Sequence, residues 1–163
     1  MQSAPGYVFS GIVRVGTDQV RITGRFQAPD RLDETIQVPG HSSVNAVLVG
    51  TTTFVRDPVA GTWRRSTGTG SGADPRTAFS VLLQASAISR SGSTYHFSVP
   101  AQAAARLASG TVATGPAAGS AELSAGTITR LMIDLPGQGR TVSISLDYSS
   151  IGTAPPVTAP PGA

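Results

Sequence analysis

The sequence predicts a mainly β chain of the α+β type: one large, strongly curved antiparallel sheet with short helices against one face. Three observations lead there. Apolar and polar residues alternate over many short runs bounded by Gly, Pro and Asp, the signature of antiparallel strands joined by tight turns. Gly11 and Gly24 fall inside such runs, where a missing side chain permits a bulge or a sharp bend. Two short helical patterns interrupt the second half of the chain, without the strand–helix–strand alternation of a parallel sheet.

The elements follow in order. Residues 7–16 (YVFSGIVRVG) and 19–26 (QVRITGRF) form the clearest hairpin, turning at Gly16-Thr17-Asp18. In its second arm Val20, Ile22 and Phe26 face one way with Gly24 in line, and Arg21, Thr23 and Arg25 face the other. Residues 28–31 make a turn, and residues 32–39 (LDETIQVP) a strand with Ile36 and Val38 on one face. Asp30, Asp33 and Glu34 read as a solvated acidic turn, with a spacing that matches no calcium loop. Residues 43–65 hold three short strands, SVNAVLVG, TTTFVRD and TWRR, broken at Gly50 and at Asp57-Pro58 to Ala60-Gly61. Val47 and Val49 put apolar groups on the second face of this sheet, so both of its sides are expected to be covered.

Residues 64–74 (RRSTGTGSGAD) read as a polar, mobile, glycine-rich loop. Asp74-Pro75 then starts a helix, with Asp as cap and Pro in the first turn. Ala78, Phe79, Leu82 and Leu83 recur on its apolar side. Residues 85–89 are ambiguous, and residues 93–99 (STYHFSV) alternate again. Residues 100–109 (PAQAAARLAS) read as a second short helix stopped by Gly110. Residues 111–119 are small-residue loop or weak strand, and three strands close the domain at 121–125, 127–135 and 141–148. The last of these sets Val142, Ile144, Leu146 and Tyr148 against Ser143, Ser145 and Asp147. The Pro-rich end, residues 152–163, reads as an extended tether with no part in a core beyond Val157.

Composition bounds the function. The 163 residues suit one domain, and only 13% are charged. All 12 basic residues are arginines, set against 9 acids, and the only adjacent pair is Arg64-Arg65. That is not the clustered basic footprint of a nucleic-acid binder. There is no cysteine, hence no disulfide, thiol chemistry or Cys-based zinc site. Residues 1–5 lack the basic and apolar regions of an export signal, which leaves a cytosolic protein or one whose export segment is absent from this sequence.

Taken together, the first hairpin, the VLVGTTTFVRD…GTW segment, the Asp-Pro helix start, YHFSVP before a helix, and the ending VSISLDYSSIGTAPPVTAPP resemble the LolA/LppX-like half-barrel lipoprotein-carrier superfamily. This superfamily includes the LppX/LprA/LprF/LprG-type lipoproteins of actinobacteria. The similarity runs from Tyr7 to Pro160. It implies a half-barrel with helices on its concave face, an apolar cavity for acyl chains, and residence in the cell envelope outside the cytoplasmic membrane. It divides the chain into residues 1–6, a remnant; 7–151, the half-barrel domain; and 152–163, the tail. Two features of the family are missing: the lipobox cysteine with its signal, and a helix ahead of the first strand.

The expected function is therefore an extracytoplasmic carrier that binds lipid or lipoprotein without catalysis and without a cofactor or metal. Membrane association would come through an N-terminal anchor missing from this sequence. The alternative is an envelope sensor or protein-interaction domain on the same scaffold, as in RseB-like domains. The physical case for a carrier is one of volume, because a broad apolar concavity covered by short, alanine-rich helices leaves room for chains. Candidate lining residues are Val20, Ile22, Phe26, Ile36, Val38, Leu48, Phe54, Phe79, Leu82 and Leu83. Against this stands a solid core in which they pack on one another. Trp63 beside Arg64-Arg65 could meet lipid heads at the cavity mouth, but a Trp capping the core edge is the simpler reading. Gly68-x-Gly70-x-x-Ala73 mimics a dinucleotide fingerprint but lacks the βαβ setting. His41 and His96 have no triad or metal partners in view, and no G-x-S-x-G elbow occurs.

Overall fold

The computed structural model describes residues 5–67, 75–107 and 113–161. The first part of the chain is a meander: β1 (Gly6–Val15), β2 (Asp18–Gln27), β3 (Arg31–Gln37), β4 (Val44–Val49), β5 (Thr52–Arg56) and β6 (Trp63–Thr67). Helix α1 (Pro75–Leu82) then leads into a second meander. It comprises β7 (Ser86–Ser91), β8 (Thr94–Val99), the short α2 (Ala101–Ala104) with a 3-10 turn (Ala105–Leu107), β9 (Ala117–Ser124), β10 (Thr127–Gly137) and β11 (Arg140–Ser149). The described strands make one 11-stranded sheet in the order β6-β5-β4-β3-β2-β1-β11-β10-β9-β8-β7. Each neighbouring pair is antiparallel, and the two halves meet where β1 pairs with β11. β6 and β7 are left as edges, so the sheet is a half-barrel with the helices on its concave face.

The bend has a visible cause. Gly11, Gly24 and Gly119 face Leu146, Phe9 and Phe97 across the strands. A Cβ on Gly24 would come 2.7 Å from Phe9 Cζ, and one on Gly119 would meet the Phe97 ring, 2.9 Å from Cδ2. Large side chains thus lie flat over bare backbone on the inner surface, which has less room than the outer one.

Strand alternation sorts the sheet into two faces. The concave side buries Tyr7, Phe9, Phe26, Leu32, Leu131, Ile133, Leu135 and Val142 against Ala78, Phe79 and Val81 of α1 and Ala103 and Ala104 of α2. The convex side carries ion pairs between neighbouring strands: Arg25 with Asp33 at 2.8 Å, and Arg130 Nε with Asp147 at 2.7 Å. It also holds a small second cluster of Val47, Phe54 and Val157, flanked by Val49 and Trp63.

Several sequence expectations change. Of the expected acidic turn only Asp30 lies in a turn: Asp33 and Glu34 lie in β3, Asp33 pairs with Arg25, and Glu34 is buried at 2% exposure. Alternation places Glu34 between Leu32 and Ile36 on the inner face, so the acid occupies a core position. The short strand read at TWRR is edge strand β6, and it continues through residues 66 and 67 into what was expected to be loop. The ambiguous segment is β7, an edge strand exposed at all six residues. Residues 117–119 already belong to β9. In α1 the buried residues are Ala78, Phe79 and Val81, whereas Leu83 is 73% exposed. The reason is that Leu83 lies past the helix end, where Gln84 N–H and Ala85 N–H bond the carbonyls of Val81 and Leu82 and tighten the last turn. The expected Asp74 cap, the Gly68–Gly70 pattern and the Gly110 stop lie outside the described residues.

The tail does more than trail away. Gly152 N–H donates to Gly6 O at 2.8 Å, and the chain then crosses the convex face to bury Val157 completely. The Val157 peptide is gripped on both sides by one cross-strand pair. Its N–H donates to Gln27 Oε1 at 2.9 Å, and its C=O accepts from Arg31 Nη1 at 2.9 Å. The cover expected over Val47 is therefore the protein's own strap.

Candidate functional site

The concave face offers two different surfaces. One end is closed by aromatic rings. Tyr7, Phe26, Leu32 and Leu48 stand side by side across β1 to β4 in register, each 9% exposed or less. Tyr7 meets Phe26 at 5.1 Å between centroids, Phe79 edge-on at 5.8 Å and Tyr148 edge-on at 5.6 Å, and Phe79 lies 5.3 Å from Tyr148. Edge-to-face and tilted contacts of this kind add to the burial of apolar area. Phe79 is the residue by which α1 holds this end shut.

The other end is open. Along the register row Gly11, Ile22, Ile36, Val44, exposure rises from 8% at Ile22 to 39% at Val44. Val13, Val15 and Val20 are only partly buried at the same end of the hairpin. Val38, just beyond β3, is 38% exposed. An apolar inner face thus runs out to solvent at the connection between β3 and β4.

Among the ten residues named from sequence as lining, Ile22, Phe26, Leu48 and Phe79 lie in the main core, with Val20 and Leu82 packed on it. Ile36 is half-buried near the open end, and Val38 and Leu83 are exposed. Phe54 is a correction. The turn at Gly50 and Thr51 pairs Val49 with Thr52 and Val47 with Phe54, which sends Phe54 to the convex cluster and Thr53 to the concave side. Sequence reasoning missed Tyr7, Phe9, Leu131, Ile133, Leu135 and Tyr148, which form much of the inner surface. Alternation in β1, β10 and β11 marks them as inward-facing. It also missed Glu34, whose side chain rises between Gly24 and Ala46, its register partners.

The polar features elsewhere are structural. Asp57 Oδ1 accepts from the backbone N–H of Val59 and Ala60 at 2.9 Å each, and Oδ2 pairs with Arg64 at 2.9 Å. Those backbone bonds, to Ala60 and then Val59, with the Arg64 charge, hold its carboxyl below the usual carboxylate value and shape the β5–β6 turn. Trp63 is half-buried on the convex cluster beside exposed Arg64 and Arg65, as a core-edge Trp would be. His41 and His96 are exposed. Among the described residues no three His, Cys, Asp or Glu side chains gather as metal ligands, and no helix is long and apolar enough to cross a membrane.

No protein-family model matches the chain, and no curated protein matches it. Among solved structures it is similar to Mycobacterium tuberculosis lipoprotein LppX, with a TM-score of 0.65 over 96% of this chain and 91% of that one, at 15% identity. An open antiparallel half-barrel with short helices in its concavity, superposable over nearly its whole length, gives this chain the LppX-like fold.

Proposed function

We propose that this protein is a non-catalytic carrier of the cell envelope that holds acyl chains of a lipid or lipoprotein in the concavity of its half-barrel, outside the cytoplasmic membrane. The observation that carries the reading is the gradient along the inner face. The apolar surface is sealed by rings at one end and opens to water at Ile36, Val38 and Val44 at the other. Each CH₂ of a chain buried there contributes about 0.8 kcal/mol. The covers, an eight-residue helix and an alanine-rich turn, are small enough to be displaced. The LppX-like fold and that neighbour's designation as a lipoprotein agree with this reading.

The test is extraction of the purified protein with organic solvent, followed by mass spectrometry, together with titration by a dansyl-labelled fatty acyl probe. Co-purifying acyl lipid and saturable probe binding are expected. Neither lipid nor saturable binding would overturn the carrier reading. A second reading, an envelope sensor or protein-interaction domain, is favoured by the mutual packing of Tyr7, Phe26, Phe79 and Tyr148, which fills the closed end with the protein's own side chains. Capture of a protein partner by a lipid-free chain would support that reading instead.

A further inference from the structure

Tyr148 places a hydroxyl where no group among the described residues answers it. The residue is 5% exposed, and its Oη is fully covered with no hydrogen-bond partner. Its surroundings are rings: Tyr7 edge-on at 5.6 Å, Phe79 tilted at 5.3 Å, and Phe9 opposite it across the strands. A phenylalanine would fill the same position without leaving a polar atom dry, which is costly for a buried group. Buried hydroxyls are otherwise paired as a rule, so an orphan in a binding concavity calls for a group that arrives from outside.

We propose that Tyr148 is the polar subsite of the concavity, donating its hydroxyl hydrogen to the carbonyl oxygen of an ester-linked acyl chain that enters beneath α1 and displaces the Phe79 ring. This rests on the carrier reading and specifies its cargo. The neighbouring rings carry no cation that would select a free carboxylate, and an ester carbonyl accepts a hydrogen bond while losing little hydration on entry. Burial, with the Tyr7 phenol close by, pushes the Tyr148 phenol far above its usual range, so it stays protonated and available as a donor.

The experiment uses Tyr148→Phe and two competitors of matched length, methyl hexadecanoate and octadecane, each displacing the dansyl-labelled acyl probe. The wild-type protein is expected to prefer the ester by about three- to ten-fold, the range one net hydrogen bond supplies. Tyr148→Phe should bind the alkane as before and lose the preference. Its ligand-free melting temperature should be unchanged or raised, because no internal bond is broken. An ester preference that survives in Tyr148→Phe, or a lowered ligand-free melting temperature, overturns the proposal. Binding of both competitors with no ester preference in the wild type sinks this inference and leaves the carrier reading standing. If neither competitor binds, both fall.

Discussion

Replacing Val157 with alanine tests whether the C-terminal strap is held by a single apolar anchor. The valine is completely buried against Val47, Phe54 and Trp63, while most of its neighbours in the strap are exposed. The change removes two methyl groups, worth about 0.8 kcal/mol each, or about 1.6 kcal/mol together. The unfilled space raises this to roughly 2 kcal/mol. The two hydrogen bonds, donated to Gln27 Oε1 and accepted from Arg31 Nη1, remain possible, so the loss falls on strap attachment before it falls on the sheet. At about 1.4 kcal/mol per tenfold, detachment becomes about 15- to 30-fold more frequent. Native-state hydrogen exchange at the Val157 position should accelerate by that factor while amides of β10 exchange as in the wild type. The chain's one tryptophan, Trp63, lies in the same cluster and should shift its emission to the red. If exchange at position 157 is unchanged, or rises only together with that of β10, the strap is not a separate unit and the reasoning fails.

Other expectations follow from the same geometry. Gly119→Ala drives a Cβ into the Phe97 ring and should cost about 1–3 kcal/mol by denaturant unfolding. Combining it with Phe97→Leu should recover part of that loss, and strict additivity of the two changes would count against the contact. Asp57 has a carboxyl pKa below its ordinary 3.8, so its contribution to the β5–β6 turn is present above that value and disappears as pH falls through the lowered one. NMR titration of the Val59 and Ala60 amides should show the turn bonds weakening only below about pH 4, and a transition above that value would contradict the assignment. Phe79→Ala should lower stability by about 3–5 kcal/mol yet tighten binding of the acyl probe, because the ring no longer competes with cargo. A fall in both quantities would refute that role for Phe79.

Strands whose side chains alternate cleanly were legible from the amino acids alone. β2, with Val20, Ile22 and Phe26 against its arginines, and β11, with Val142 to Tyr148 against its serines, fold as that pattern requires. What stayed hidden depends on partners remote in sequence. The face of Phe54 is decided by the register across Gly50 and Thr51, and a slip of one residue in such a turn inverts every side chain after it. Glu34 looked like part of a polar turn because its neighbours Asp30 and Asp33 are acidic. Its core position follows from the space left by Gly24 and Ala46 on adjacent strands. β7 has no buried face and so carries no periodic signal, whatever its backbone does. In the candidate site the apolar inner face was anticipated, but the orphan hydroxyl of Tyr148 was not, since alternation marks a residue as inward and says nothing about what meets its polar tip.

The pairing of β1 with β11 also dictates how the molecule is put together. The strands from the middle of the chain form the outer margins, and those from its two ends form the central seam. Each meander zips up locally, but the joint between them waits for the last strand to be synthesised or released. Until then β1 presents an unpaired flank as a site for mispairing with other chains. Truncation within β11 would therefore not trim a border. It would split the architecture down its centre into two half-sheets, each deprived of the neighbour that completes its interior.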